Sequence, residues 1–323
     1  MHKKRGRFYQ QCTVAAHGEV DKHAGPPPFP ASSQDLHASH YTFDVVQQVT
    51  LPSSARQVGP IYFKSPRKVQ LFGVCSEGIP KQVNYLLDEA TTIGQDCKKS
   101  HGANTVVSLL HHFFQVHGHG EKGCQLHADN CAGQNKNKTV MAYLAWRCMV
   151  GLHEKISLSF MIAGHTRCLV DGCLGHLKHK YRCSDVFTLE QLPNTVDASA
   201  ACNVSQPFED SRIIWYDWDA YLMQYFKAIP GVSKMHHFTF SAQHPGTVLV
   251  KKTVDSSEAS VTITKASVDV SVLKSTMPPV IPPAGLSPER QRYLYEQIRE
   301  FVPPAFQDQL CPAPLVDMEE GLE

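Results

Sequence analysis

The period of the hydrophobic pattern changes along the chain, and this change predicts a sheet followed by alternating helices and strands. Apolar and polar residues alternate over 41–46, which is typical of a strand with one buried face. Two more strands are predicted at 68–74 and 82–87, and their short spacing favours an antiparallel meander. Asp44 falls inside the first strand, on the face opposite Phe43.

Further along the chain, the apolar positions recur at helical spacing. Helices are predicted over 103–117 and 139–152, and the strand between them ends at Asp129. Another strand follows at 156–162, and a third helix is predicted to begin near Asp171. A meander that turns into alternating strands and helices predicts an α/β fold, in which helices flank a mixed sheet.

The predicted organisation places one core between less regular segments. Residues 1–40 are basic and proline-rich and are interpreted as a short helix and a linker. The core is predicted over 41–190, and a helical and β extension packed on it over 191–275. Residues 276–323 form a proline-rich linker, a C-terminal helix that Ser287 should cap, and an acidic tail.

The composition describes an ordinary globular chain without a global charge. The 323 residues are 42% hydrophobic and carry a net charge of +1, so any field that attracts a nucleic acid must be local. The eleven scattered cysteines do not form the framework of a small secreted domain, which favours a reducing compartment. No apolar run approaches the roughly 20 residues that a membrane span needs, so no membrane partner is expected.

Three aspartates are the candidate chemistry of this chain. Asp44 lies inside an apolar strand, where an unpaired carboxylate is costly to bury, Asp129 ends a strand, and Asp171 begins a helix. Taken singly, each has an ordinary alternative: a solvent-facing acid of an edge strand, a loop turn, and a helix cap, respectively. Together they predict a site for two Mg²⁺ or Mn²⁺ ions, which prefer oxygen ligands and support phosphoryl transfer.

Polar and basic residues near these acids are predicted to assist. His165 could polarise a phosphate or activate water, and its alternative is a hydrogen-bonded loop histidine. The amide-rich loop after Asp129 and a local basic rim could contact substrate, although both are also compatible with a solvated surface. The predicted substrate contacts are Asn130, Gln134, Asn135, Lys136, Arg167 and Lys178, and Lys138, Lys180 and Arg182 complete the basic rim.

Four segments resemble a family of uncharacterised, transposon-derived proteins that is widespread in animal genomes and similar to ribonuclease-H-like DDE transposases. The segment around Asp129 is the longest and most specific of the four. The resemblance covers about residues 40–255 and extends to the C-terminal helix region, 287–314. The four segments are Tyr41–Asp44 with Gln47 and Gln48, Gly59–Lys64, His127–Asn137, and Gly164–Thr166 with Asp171.

The resemblance implies both a fold and an activity. The fold would be a ribonuclease-H-like mixed sheet, with a three-strand meander followed by βαβα. Asp44, Asp129 and Asp171 would be the catalytic and metal-binding acids, and the third is Asp where many such enzymes have Glu. The implied activity is metal-dependent cleavage or strand transfer on DNA in the nucleus, with RNA as an alternative substrate.

A non-catalytic role is the alternative function. Relatives of this kind usually carry more chain before the domain, which indicates a fragment, a truncated copy or a domesticated gene. Such a protein would keep the fold and bind nucleic acid or another protein, and self-association is compatible with both functions. The basic start, residues 2–7, is either a nuclear signal or nucleic-acid contact, or a solvated terminus.

Cysteine and histidine residues are the second candidate for metal binding, as a zinc site. Five of them crowd into one short stretch, but the spacing is not that of a standard finger, so zinc is not expected. A glycine-rich nucleotide loop and a Gly-x-Ser-x-Gly elbow are both missing from the sequence. The five residues are Cys168, Cys173, His176, His179 and Cys183.

Overall fold

Within the described residues, the chain forms one nine-stranded mixed sheet flanked by helices. A computed structural model describes residues 2–20, 29, 32–56, 59–93, 102–161, 168–206, 213–266 and 268–314. The strands are β1 (Ser39–Leu51), β2 (Arg67–Ser76), β3 (Lys81–Asp88), β4 (Gly123–Ala128), β5 (Lys155–Phe160), β6 (Asn203–Gln206), β7 (His237–Ser241), β8 (Thr247–Lys251) and β9 (Ala259–Thr262).

Most helices lie between or after these strands. No helix of the described ranges is long and apolar enough to cross a membrane. The helices are α1 (His2–Val20), α2 (Ala103–Val116), α3 (Lys138–Met149), α4 (Leu169–Arg182), α5 (Gln191–Asp197), α6 (Trp218–Leu222), α7 (Val270–Ser275), α8 (Pro288–Tyr293) and α9 (Gln307–Leu310), with a 3-10 turn at Gly59–Phe63 and continuations of α8 at Leu294–Ile298 and Arg299–Phe301.

The sheet confirms the predicted mixed α/β architecture. Its strand order is β6-β3-β2-β1-β4-β5-β7-β8-β9. The strands β1, β2 and β3 form an antiparallel meander, and β4 and β5 run parallel to β1. Parallel neighbours need a crossover, and α2 and α3 supply the two that lead into β4 and β5.

Two hydrophobic cores form because alternate residues of the central strands point to opposite faces of the sheet. Phe43 and Phe72 join the core that contains α2 and α3, whereas Leu71 joins the core that contains α4. All three are almost completely buried. Burial of one such side chain stabilises the fold by about 1.5–3 kcal/mol, so the central strands are fixed from both sides.

The residues after 190 widen the same sheet at both edges. β6 pairs in parallel with β3, and β7 pairs antiparallel with β5 on the opposite side. The pattern of residues 236–272 predicted short strands, which the structure confirms as β7, β8 and β9. β6 was not predicted, since its four residues, Asn-Val-Ser-Gln, have no alternating pattern. The predicted extension therefore shares one sheet with the predicted core.

Helix α1 packs against the polar face of the sheet. The ring of Tyr9 lies 5.0 Å from that of His40, and Thr13 Oγ1 is 3.2 Å from His40 Nδ1. Farther along, the backbone of Ala16 lies so close to Gly78 that a Cβ there would come within 3.1 Å of it. The basic N-terminal segment therefore contains a longer helix than the sequence predicted, and this helix contacts β1.

Candidate metal centre

The register of two parallel strands places Asp44 beside Asp129. β1 and β4 are neighbours, and Phe43 pairs with Ala128 at the last register position. The residue after Phe43 is Asp44, and the residue after Ala128 is Asp129. Neighbouring strands of a sheet lie about 4.8 Å apart. Both aspartates are partly exposed. The sheet thus places Asp44 near Asp129, although 85 positions separate them in the sequence (129 − 44).

Helix α4 brings Asp171 to the same place. Asp171 is in the first turn of α4, which contacts β1 and β2. Gly73 of β2 pairs with Asp44, and a Cβ at Gly73 would lie 3.4 Å from the Val170 side chain. Because Gly73 has no side chain, Val170 packs closely on β2 beside Asp44. Asp171 directly follows Val170, so the first turn of α4 lies near Asp44. The thiol of Cys168 also donates a hydrogen bond to Asp171 Oδ2 over 3.2 Å.

The electrostatics of Asp44 show that the three acids affect one another. Burial, followed by repulsion from Asp129 and Asp171, raises the pKa of the Asp44 carboxyl to about 7. The backbone N–H of Val45 and the charge of Lys178 act in the opposite direction. In the described part of the chain, none of the three carboxylates forms an ion pair with Lys or Arg within 4.0 Å.

A divalent cation fits this donor set. Asp129 and Asp171 lie near enough to Asp44 to raise its pKa, and no Lys or Arg of the described residues forms an ion pair with any of the three acids. Their oxygens do not all lie within 4.8 Å of one another, since Glu121, Cys124 and His153 form the group of the described residues that meets this condition. Hard ions such as Mg²⁺ and Mn²⁺ take oxygen ligands, and a bound cation would relieve this repulsion. The three residues named from the sequence as metal ligands therefore lie in one region of the fold and repel one another electrostatically.

The loop after Asp129 positions that carboxylate. Asn135 Nδ2 donates a hydrogen bond to Asp129 Oδ1 over 2.5 Å, and the N–H of Cys131 donates to the same oxygen over 3.2 Å. Asn135 is fully buried. It was predicted to contact substrate, but the structure places it behind Asp129, where it orients the carboxylate. Its buried Oδ1 atom has no hydrogen-bond partner among the described residues.

Lys136 is also turned inward. Only 5% of Lys136 is exposed, and its ammonium donates to Asn130 Oδ1 over 2.9 Å and to the Ser233 carbonyl over 3.1 Å. It also lies 5.2 Å from the ring centre of Phe160. These contacts hold the loop against the end of β5, so Lys136 braces the loop. Asn130, which remains exposed, orients this ammonium.

The other predicted contacts differ in their placement. Gln134 is half-buried, and its backbone carbonyl accepts from Asn137 Nδ2 over 3.0 Å within the loop. Lys178 is half-buried on α4 and close enough to Asp44 to lower its pKa, so it is the predicted basic residue that the structure brings to the acids. His165 and Arg167 lie outside the described residues.

Sequence reasoning missed a group of histidines on the same sheet face. His40 lies four residues before Asp44, and His127 lies two residues before Asp129. His40 Nε2 and His127 Nδ1 are hydrogen-bonded over 2.8 Å. Burial lowers the pKa of both, that of His40 to about 3. His237 of β7 also lowers the pKa of His127. The alternation of the strands, which puts every second residue on one face, could have identified this polar band.

We expect these buried histidines to make the fold sensitive to acid. Unfolded histidine binds a proton near pH 6.5, but buried His40 does so only near pH 3. Stability is therefore full above pH 6.5 and falls as the pH drops towards 3, by about 2 kcal/mol for His40 at pH 5. Urea unfolding at pH 7.5 and pH 5 measures this loss. His40→Gln should reduce the difference between the two pH values, whereas substitution of exposed His244 should leave it unchanged.

A second group of metal-ligating side chains lies elsewhere and is already neutralised. Ligand atoms of Glu121, Cys124 and His153 all lie within 4.8 Å of one another, and all three residues are buried. The guanidinium of buried Arg147 donates to His153 Nδ1 over 3.1 Å, and His153 Nε2 lies 3.4 Å from Glu121 Oε1. Arg147 thus supplies the positive charge that a metal would bring. We interpret this group as a structural network.

The chain belongs to a family of unknown function. Residues 68–258 match the family described as "Domain of unknown function (DUF7869)". This stretch contains Asp129 and Asp171, whereas Asp44 lies before it. No curated protein matches the chain.

Proposed function

We propose that the protein is a nuclease or strand-transfer core that breaks phosphodiester bonds of DNA with Mg²⁺ or Mn²⁺. The observation that carries this proposal is the convergence of Asp44, Asp129 and Asp171 from two parallel strands and a helix start. Enzymes that transfer phosphoryl groups with two metals use such carboxylate groups to hold both ions.

The strand arrangement supports a ribonuclease-H-like core. In that fold a three-strand meander is followed by two parallel strands beside the first, and the order here is β3-β2-β1-β4-β5. Acids in the middle of the first strand, at the end of the fourth and at the start of a later helix agree with the resemblance to transposases. We therefore propose that the core has the ribonuclease-H-like fold and descends from a transposase.

Each residue has a role in the proposed reaction. Asp44 and Asp171 would hold one ion, and Asp129 would lie between both. The ions would supply activation of the nucleophile and stabilisation of the leaving oxygen. Asn135 fixes the orientation of the Asp129 carboxylate through its hydrogen bond to Oδ1. Lys178 offers a positive charge beside the acids for the phosphate that is cleaved.

The surface of α4 supports a polyanionic substrate. Lys180 and Arg182 are exposed on the same helix that begins with Asp171 and carries Lys178. Lys178 and Arg182 are one turn apart on one face of α4, whereas Lys180 points to the other side of the helix. Basic residues that share a face can contact a phosphate backbone although the whole chain has a net charge of only +1. DNA is the first substrate to test, and RNA is the alternative in the same assay.

A non-catalytic binding module is the second candidate. One observation favours it: Asp44 lies outside the stretch that matches the family. If this acid is not a family feature, the fold could bind nucleic acid or protein without cutting. The two candidates differ in whether metal-dependent cleavage occurs.

The test is cleavage of labelled single-stranded DNA, duplex DNA and RNA by the purified chain with Mg²⁺, Mn²⁺ or EDTA. We expect metal-dependent cutting, and we expect Asp129→Asn to reduce its rate at least about 100-fold, because one of three ligand carboxylates is lost. Asp308→Asn is the matched control, since Asp308 is 87% exposed and pairs with Arg299. Binding without any cutting, equal in the wild type and in Asp129→Asn, would favour the non-catalytic module.

A further inference from the structure

A cavity lies at the far end of α4 from the acids. Its volume is about 300 Å³, and it opens between the end of β1 and the last turn of α4. Three aromatic residues and one arginine contribute to its wall, together with proline, serine, threonine, alanine and isoleucine residues. The residues that matter for its chemistry are Thr50, Ile61, Tyr181, Arg182, Phe187 and Phe301.

The aromatic walls are held by the surrounding fold. The hydroxyl of Tyr181 donates to the carbonyl of Thr50 and accepts from its N–H over 3.1 Å. Phe187 stacks on Phe306, with ring centres 5.9 Å apart and an angle of 18° between the planes. The cavity walls are therefore fixed before any ligand binds, which reduces the entropy lost on binding.

Two aromatic side chains are exposed beside this cavity. Tyr62 is 74% exposed and Phe63 is 84% exposed, and their ring centres are 5.3 Å apart. They directly follow Ile61, which is buried and lines the cavity, so they stand at its edge. Water-exposed aromatic neighbours bring no stability to the fold, and exposed apolar groups of this kind often mark binding sites.

The charges around the cavity suit a phosphate backbone. Arg182 lies at the cavity, and Lys178, one helical turn earlier on the same face of α4, acts on Asp44. Asp185 is the nearby acid, and its Oδ1 accepts hydrogen bonds from Ser54 Oγ over 2.6 Å and from the N–H of Ala55 over 3.1 Å. These hydrogen bonds lower the pKa of Asp185 and keep it ionised, so one negative charge lies near Arg182 at the edge of the cavity.

The length of α4 sets the distance between the cavity and the acids. Asp171 and Arg182 are separated by eleven helical steps, or about 16 Å. A strand that rises about 3.4 Å per stacked nucleotide covers this distance in about five nucleotides, and an extended strand covers it in fewer. One nucleic-acid strand can therefore reach both places along the basic side of the helix.

We propose that the cavity and the pair Tyr62–Phe63 form a subsite for an unpaired nucleotide of the strand that is bound at the acids. The bases stack on Tyr62 and Phe63 or enter between the aromatic walls, and Arg182 binds the adjacent phosphate. The inference rests on the proposed function, because the strand is the substrate of that site. It deepens that function by naming single-stranded or locally unpaired nucleic acid as the preferred substrate.

The test is equilibrium binding of a fluorescein-labelled single-stranded 12-mer and of a blunt duplex, measured by anisotropy in EDTA. The double variant Tyr62→Ala with Phe63→Ala should weaken binding of the single strand at least about fivefold and change duplex binding little. Arg182→Gln should lower the slope of the salt dependence by about one for the single strand. Val280→Ala, at another exposed apolar residue, is the control for the double variant.

The outcomes separate this inference from the proposed function. Equal affinity of the double variant and the wild type for the single strand overturns the subsite. An equal loss for both the duplex and the single strand also overturns it, because stacking on unpaired bases predicts a difference. The binding assay is run in EDTA and therefore does not depend on a metal. If the double variant loses single-strand binding as predicted, but the wild type does not cut nucleic acid in the cleavage assay, the result supports the subsite and counts against the nuclease. Melting temperatures verify that each variant is folded.

Discussion

Replacing Asp44 with asparagine is expected to abolish cleavage and at the same time stabilise the metal-free protein. Burial of Asp44, followed by repulsion from Asp129 and Asp171, raises its pKa to about 7 against an ordinary 3.8, and this shift measures a free-energy cost of holding the ionised carboxylate in the folded protein. Each pKa unit corresponds to about 1.4 kcal/mol, but Asp44 is partly exposed and solvent screens the repulsion. We expect a gain of about 1–2 kcal/mol at pH 8, seen as a melting temperature about 1.5–3 °C higher in EDTA.

The pH dependence gives the sign of this effect. Because the folded pKa of Asp44 is raised, its stabilising contribution is full below pH 3.8 and is lost as the pH rises through 7. The gain of Asp44→Asn over the wild type should therefore shrink from pH 8 to pH 5. The exposed Asp308→Asn variant should show no such trend. A variant that is less stable than the wild type at pH 8 in EDTA would mean that Asp44 has a favourable partner, and the acids would not form an electrostatically strained site.

The second large effect is stabilisation by divalent cations. An ion that binds only the folded state at 100 times its Kd stabilises the protein by about 2.7 kcal/mol, and a second ion adds to this. We expect Mn²⁺ to raise the melting temperature of the wild type and to have little effect on the variant that carries both Asp129→Asn and Asp171→Asn. Differential scanning fluorimetry over a range of Mn²⁺ concentrations measures the shift.

Protons should compete with the cation. As the pH falls below about 7, Asp44 takes up a proton and no longer offers a charged ligand. The Mn²⁺ concentration that gives half of the maximal shift should therefore rise, by at most about tenfold per pH unit for one displaced proton. A shift that is independent of pH between 8 and 5.5, or one that survives in the double variant, would place the ion elsewhere. The group formed by Glu121, Cys124 and His153 would then be the next place to search.

Much of the geometry of this site could be predicted from the sequence. Strand alternation identified β1 and placed Asp44 on the face opposite Phe43, which the buried Phe43 confirms. The strand before Asp129 and the helical period after Asp171 were equally clear, because β4 is buried on both faces and α4 has one buried side. The predicted elements, in that order, were enough to suggest that three distant acids meet.

Other features of the site depend on tertiary contacts that no local pattern shows. Asn135 and Lys136 look like polar loop residues in the sequence, yet both are buried. Asn135 is held by Asp129, and Lys136 by the ring of Phe160 and the carbonyl of Ser233. β6 is too short for a period to be visible, and it forms because the edge of β3 is free to pair. The contact of α1 with His40 and His127 likewise joins segments that are far apart in the chain.

The polar face of the sheet, which extends from the acids through His40 and His127, is a further consequence of this arrangement. Neutral buried histidines next to a carboxylate site keep additional positive charge away from it, since burial lowers their pKa. The described fold thus leaves the neutralisation of the three acids to Lys178 and to a ligand.

The most direct test of the metal centre is anomalous diffraction from crystals of the wild-type protein soaked in Mn²⁺. We predict anomalous density between the carboxylates of Asp44, Asp129 and Asp171, with metal–oxygen distances of roughly 2.0–2.4 Å. Crystals of Asp129→Asn should show this density weakened or lost. Density only at Glu121, Cys124 and His153, or no ordered Mn²⁺ at the three aspartates under conditions in which the protein cuts DNA, would contradict the assignment of these acids as the metal site.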